Sequence, residues 1–110
     1  MDITSWISQL RKGAAEFAVL SVLAKRDRYG LEILEATNGA GELVSEGSLY
    51  PLLNRLEKDG KVESRWELED SAHPRKYYRI TQAGVRTVQA MLAAWIDFRS
   101  AMSATVETVK

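Results

Sequence analysis

The 110-residue chain has no cysteine and one histidine, His73. Without thiols there is no disulfide framework and no thiolate chemistry, which suits a reducing cytosol. One imidazole cannot anchor a metal cluster alone, so His73 reads as a solvated loop residue, and neither a metal nor another cofactor is expected. There is no glycine-rich phosphate loop, and spacing brings no convergent carboxylate pair onto one face. Glu32 and Glu35 share a helical face, but solvated charge explains them, so an enzyme is not expected. No apolar run approaches the ~20 residues that span a bilayer, and Met1–Trp6 lacks a basic region followed by an apolar stretch. Neither a membrane segment nor a secretory leader is therefore expected.

Net charge is also absent: fifteen Lys and Arg balance fifteen Asp and Glu. Taken alone, this argues against a nucleic-acid partner. The distribution argues the other way. No acid occurs from Ser71 to Ile96, a stretch that holds Arg75, Lys76, Arg79 and Arg86. A neutral total with a local basic patch suits a protein that docks one surface and keeps weak non-specific affinity. The length, with 45% hydrophobic and 27% charged residues, fits one ordinary globular unit with a modest core.

Periodicity predicts the elements. Asp2 to about Arg11 is a short amphipathic segment with Ile3, Trp6, Ile7 and Leu10 on one face. Gly13 to about Lys25 is a stronger helix, apolar on most sides, expected at the centre of the core. Lys25–Arg28 is a charged turn. A second helix runs from Tyr29 to about Asn38, stopped by Asn38-Gly39-Ala40-Gly41.

The third helix, Glu46–Gly60, has two chemically different faces. Leu49, Leu52, Leu53 and Leu56 form an apolar stripe at i, i+3, i+4 and i+7. Gly47, Pro51, Asn54 and Lys58 lie opposite, flanked by Ser48, Tyr50 and Arg55. Either Ser45 or Ser48 serves as N-cap. A helix seated by leucines, with a small and donor-rich outer face, has what a DNA recognition helix needs.

The period then changes to two. Val62–Leu68 is a half-buried strand, Glu69–Pro74 a polar turn and Arg75–Ile80 a second strand. Trp66 is assigned to packing, and at least one of Tyr77 and Tyr78 to the core. Thr81 caps a last helix from about Gln82 to at least Ser103, some 22 residues or roughly 33 Å. Along it Val88, Met91, Trp95, Phe98 and Met102 recur at a/d spacing, with Leu92 and Val106 beside them and Val109 a heptad on. The rest of the chain is too small to cover that stripe, so a second copy is expected to bury the surplus.

Three helices, a two-stranded hairpin and a long helix make a mainly α fold with a small β-hairpin (α+β). The expected architecture is a winged helix-turn-helix over 1–80 and a C-terminal dimerisation helix over 81–110, in one structural unit. Tyr29-Gly30-Leu31-Glu32-Ile33 opens the second helix, and Gly47-Ser48-Leu49-Tyr50-Pro51-Leu52-Leu53, with Arg55-Leu56-Glu57 and Gly60, forms the third. Arg75-Lys76-Tyr77-Tyr78-Arg79-Ile80-Thr81, with Gly84, closes the wing. In these motifs the chain resembles the PadR family of bacterial transcriptional regulators, in its small form with one long C-terminal helix. The resemblance covers about Gly13 to Trp95. It implies a cytoplasmic, DNA-binding homodimer, usually a repressor, on a palindromic operator of double-stranded DNA, with release by a small-molecule effector in many members.

Residue roles follow as expectations. Ser48 and Tyr50 suit phosphate or base-edge contact, with packing an equal alternative for Tyr50. Asn54 suits an adenine edge, Arg55 a guanine or a phosphate unless it is merely solvated or packed on a neighbouring helix, and Pro51 shapes the helix and makes apolar contact. At the wing, His73, Arg75 and Lys76 are placed to straddle the backbone or enter the minor groove, with a solvated turn as the alternative. Trp95 is a dimer-core aromatic or, with Trp6 or Phe17 nearby, a wall of a channel for a small aromatic effector. Val88, Met91, Leu92, Phe98 and Met102 complete that region. The competing reading is a winged-helix module whose long helix docks another protein.

Overall fold

In a computed structural model, residues 1–68 and 73–107 are described. The elements are α1 (Thr4–Lys25), β1 (Arg28–Tyr29), α2 (Gly30–Thr37), α3 (Glu46–Lys58), β2 (Val62–Glu67), β3 (Arg75–Ile80) and α4 (Gln82–Val106). This is the α+β winged-helix architecture expected, with two departures. The amphipathic segment and the first core helix fuse into one 22-residue α1, because Gly13 is merely a weak helix former on an open face and does not break it. The hairpin gains a third strand: Arg28 pairs with Tyr78 and Tyr29 with Tyr77, giving the antiparallel order β1-β3-β2. The turn expected over Glu69–Pro74 falls mostly on 69–72, outside the described residues, as does Val109.

The core lies between α1, α2, α3 and the inner face of the sheet. The α3 stripe of Leu49, Leu52, Leu53 and Leu56 meets Val19, Leu20 and Leu23 of α1, Ile33 of α2, and Val62 and Tyr78 of the sheet. The first turns of α4 join it through Val88 and Met91. Beyond Met91 every described α4 residue is exposed, including Leu92, Trp95, Ile96, Phe98, Met102 and Val106.

Local chemistry fixes the junctions. The connection between α2 and α3 is organised by one side chain. The Asn38 carbonyl oxygen accepts from the backbone N–H groups of Leu43 (2.9 Å) and Val44 (3.0 Å), while its Nδ2 donates to the Val44 carbonyl at 2.9 Å. Arg11 of α1 adds a bond from Nε to the Glu42 carbonyl at 2.8 Å. Val44, 2% exposed, anchors the same connection in the core. At the other end, Thr81 Oγ1 accepts from Gly84 N at 3.1 Å and donates to the Gly60 carbonyl at 2.6 Å, tying the α4 cap to the end of α3. A Cβ on Gly84 would collide with the Lys61 carbonyl and the Ile80 side chain. Gly60, at φ 75°, makes the left-handed turn out of α3.

Candidate nucleic-acid interface

The candidate recognition surface is built from the start of α3. Ser45 is its N-cap, which settles the choice between the two serines. Its Oγ accepts from Ser48 N at 3.2 Å and donates to Ser48 Oγ at 2.7 Å. The Ser48 hydroxyl is thus held at the exposed entrance of the helix, beside Glu46 in the first turn. Pro51 therefore lies inside α3, and the acceptor it leaves without an amide partner is Gly47, on an exposed turn that water reaches.

The two flanks of α3 are engaged differently. Tyr50 is 50% exposed, and its ring covers the start of α2 so closely that a Cβ on Gly30 would overlap the phenol. Gly30 and Tyr50 are therefore one packing unit, and Tyr50 combines packing with an exposed edge. On the other flank, Glu16 of α1 accepts from Lys61 Nζ at 2.9 Å and from Arg55 Nη2 at 3.3 Å. Such a bridge between partly exposed groups contributes about 0–1 kcal/mol. Its consequence is positional, since it holds the exposed Arg55 guanidinium toward α1. Asn54 and Lys58 stand between these flanks, exposed and without a side-chain partner among the described residues.

The wing lies beside the C-terminal half of α3. Ser64 Oγ donates to Glu57 of α3 at 2.6 Å. Strand alternation separates Arg75 from Lys76. The Arg75 guanidinium lies over the Tyr29 ring (4.6 Å), and Tyr29 meets Tyr77 edge-on at 5.5 Å. Arg65 lies over Tyr77 (5.3 Å) and bridges Asp27 at 2.7 Å and Glu67 at 2.8 Å. Those two bonds, Glu67 first, raise the Arg65 pKa further. Lys76 is on the inner face, 5.6 Å from the ring centroid of Tyr78, the tyrosine that is buried. His73, two residues before β3, is exposed. The packing role expected for Trp66 is not what the structure places there: the residue is 62% exposed, because β2 runs past the edge of the core after Ser64.

The second region is the aromatic patch on α4. Trp95 sits between Phe17 of α1 and Phe98, each ring centroid 6.4 Å away. Of the two neighbours expected for Trp95, Phe17 is the one brought to it. Trp6 lies three turns earlier in α1, roughly 16 Å along the axis, and is 56% exposed. Val88 and Met91 pack partly against the protomer's own core, while Leu92, Phe98 and Met102 stay exposed. An open groove of about 540 Å³ lies elsewhere, between α1 and α3, lined by Lys12, Ala15, Leu43, Pro51 and Leu52 among others. Its two arginines are already paired, Arg11 with Glu42 and Arg55 with Glu16.

Among the described residues no group of three or more His, Cys, Asp or Glu is placed to hold a metal ion, and no helix is long and apolar enough to cross a membrane. Sequence reasoning missed β1, the Asn38 clamp and the Glu16 bridge. Of these, only Asn38, an asparagine at a helix stop, carried a local signal.

Comparison with known proteins agrees with this architecture. Residues 19–90 match the model of the "Transcriptional regulator PadR-like family". The transcriptional regulator Rv3488 of Mycobacterium tuberculosis is 33% identical over 76 residues, covering 69% of this chain and 70% of that protein. A solved PadR family transcriptional regulator from Eggerthella lenta superposes with a TM-score of 0.79 at 33% identity, over 96% of this chain and 93% of that one. A PadR-like transcriptional regulator from Bacillus cereus gives 0.79 at 30% identity, over 89% and 96%. With a winged-helix fold, a capped donor-rich α3 and the family match over most of its length, the chain belongs to the PadR-like family of DNA-binding transcriptional regulators.

Proposed function

We propose that the protein acts in the cytoplasm as a homodimeric repressor on a palindromic operator. In this reading α3 enters the major groove, and Ser48, Tyr50, Pro51, Asn54 and Arg55 form its reading surface. The observation that carries it is the outer face of α3. Among the described residues Asn54 and Lys58 stand exposed and unpaired between a packed tyrosine and a bridged arginine, while Ser48 is preset at the entrance by the cap. Asn54 offers the paired donor and acceptor that match an adenine edge, and Arg55 and Lys58 offer charge to phosphate. His73, Arg75 and Lys76 extend the contact along the backbone. Two-fold symmetry would set the paired α3 helices about one helical turn apart on the duplex.

The dimer is supported by the far half of α4. Leu92, Trp95, Phe98, Met102 and Val106 expose 42–58% of their surface on one helix, an apolar load that a lone protomer leaves in water. The Phe17–Trp95–Phe98 cluster at that face suits a planar aromatic effector stacking near the two-fold axis. Quenching of tryptophan fluorescence by aromatic compounds, with release of operator, is the expected sign. A broad panel without quenching or release would remove the effector from the proposal.

Zero net charge favours a second reading, in which α4 docks another protein and DNA binding is secondary. Salt discriminates between the two. An operator binder releases counterions at each phosphate contact, so its affinity falls steeply and log-linearly between about 50 and 200 mM salt. Salt-independent or undetectable binding to duplexes would favour the protein-docking reading.

A further inference from the structure

The inner face of the wing ends in a residue that the fold leaves uncovered. Alternation puts Val62, Ser64 and Trp66 on one face of β2, and Glu63, Arg65 and Glu67 on the other. The register seats Val62 against Ile80, Ser64 against Tyr78 and Trp66 against Lys76, so these pairs share the inner face. That face begins in the core, where Val62 and Tyr78 are each 2% exposed. At the next pair Ser64 bonds to Glu57 of α3, which shows that the inner face is the one turned toward α3. Trp66 follows, roughly 7 Å further along the strand, at 62% exposure, and Leu68 follows at 65%. Among the described residues the indole makes no ring or cation–π contact.

Charge identifies the occupant. On the outer face Arg65 is neutralised by Asp27 and Glu67, and Arg75 is stacked on Tyr29. On the inner face the strand pairs from Val62–Ile80 to Trp66–Lys76 carry one cation, Lys76, and no carboxylate. Lys76 bridges to no acid among the described residues. A large apolar ring and an ammonium that lies over the Tyr78 ring but meets no acid among the described residues therefore stand side by side, on the α3 side of the wing and just past the helix. The edge of a DNA minor groove has the complementary pattern, with apolar deoxyribose faces alternating with charged phosphates. A protein partner of ordinary polarity would not require that alternation.

We propose that Trp66 and Lys76 are a paired DNA contact of the wing. The indole lies against deoxyribose at the minor-groove edge flanking the half-site, and the ammonium sits on an adjacent phosphate. This rests on the DNA-binding reading above and adds to it an apolar contact that the basic wing residues do not supply. An indole in this place makes the wing sensitive to groove width, and so to flanking sequence that α3 never touches.

The test is fluorescence anisotropy on a duplex selected by the full-length protein, over a salt series, for wild type, Trp66→Ala, Trp66→Phe and Lys76→Ala. Sedimentation and thermal unfolding are measured on each. Trp66→Ala should raise Kd about tenfold with an unchanged salt slope, since the lost contact is apolar, and Trp66→Phe should recover most of that loss. Lys76→Ala should reduce the slope by about one. Sedimentation should stay as in wild type for all three variants, and so should the unfolding temperature of the two Trp66 variants, because the indole lies outside the core; for Lys76→Ala, half-buried over Tyr78, the salt slope is the deciding readout. Wild-type affinity in Trp66→Ala would overturn the pair alone. A changed sedimentation profile in Trp66→Ala would assign the face to a second copy of the chain and overturn it too. Failure of the wild-type protein to bind any duplex would bring down the DNA reading and the pair together.

Discussion

Phe98→Ala should loosen the proposed dimer without loosening the protomer. Phe98 is 58% exposed on the far half of α4, where no other described element covers it. With roughly 200 Å² of side-chain surface, the ring presents about 115 Å² to water in each protomer. An isologous interface counts the residue twice. Truncation to alanine then removes some 150 Å² of apolar contact across the pair, worth about 2–4 kcal/mol at ~25 cal/mol per Å² with incomplete burial allowed for. The dimer dissociation constant should rise by about 30- to 1,000-fold. Alanine is the better helix former by a few tenths of a kcal/mol, so the helicity of the monomer should hold. Sedimentation equilibrium over a concentration series measures the constant, and far-UV dichroism checks the helix. Operator binding should weaken and steepen with protein concentration, as dimerisation becomes limiting. An unchanged dissociation constant would place the interface elsewhere. A loss of helicity would mean that Phe98 supports the protomer and that its exposure has been misread.

Other consequences are as direct. Gly84→Ala should destabilise the fold by about 1–3 kcal/mol, because the added methyl meets the Lys61 carbonyl and the Ile80 side chain; an unchanged melting temperature would contradict that packing. Asn54→Ala should relax preference at one operator position by about 1–3 kcal/mol, seen as a flattened column when sequences are selected afresh, whereas a uniform loss across sequences would make Asn54 a phosphate contact. Burial first, then the nearby Glu57 carboxylate and the Tyr50 phenol, raise the pKa of Tyr78 above its ordinary value near 10. The unfolded chain therefore loses that proton first. The stability linked to it is complete below about pH 10 and is lost as pH rises through the folded pKa. Tyr78→Phe should flatten the fall of melting temperature above pH 10, and an unaltered alkaline limb would show that other groups govern it.

The parts of this fold that were legible beforehand are those where one periodicity dominates. The leucines of α3 could lie on only one stripe, and all four are buried. The switch to period two marked β2 and β3 to within a residue, and Thr81 was recognisable as a cap because an alternating run ends there and a helical one begins. What stayed hidden depends on residues far apart in sequence. Two residues carry no period, so β1 became visible only when Arg28 and Tyr29 lay beside β3. Glu16 gave no sign that it would hold both Arg55 and Lys61. Trp66 shows the limit of alternation as a guide. Its strand was assigned correctly, but burial along a strand also depends on how far the core extends, and here the core stops one pair short of it.

Sequence alone gathered Ser48, Tyr50, Asn54 and Arg55 on one side of α3, but left open whether Tyr50 packs and whether Arg55 meets a base, a phosphate or a neighbouring helix. Packing divides them, for Tyr50 is half committed to Gly30 and Arg55 to Glu16, while Asn54 is uncommitted. In the proposed DNA complex base reading would therefore centre on Asn54, with Ser48 and Arg55 orienting the helix on phosphates.

Selection of bound duplexes from a random pool tests the central claim most directly, since it asks at once whether the chain reads DNA, where and with what symmetry. The account predicts enrichment of an inverted repeat whose half-sites lie about one helical turn apart, with an adenine at a position lost in Asn54→Ala. Failure to enrich any sequence, or enrichment of a single unpaired half-site bound by a monomer, would contradict it.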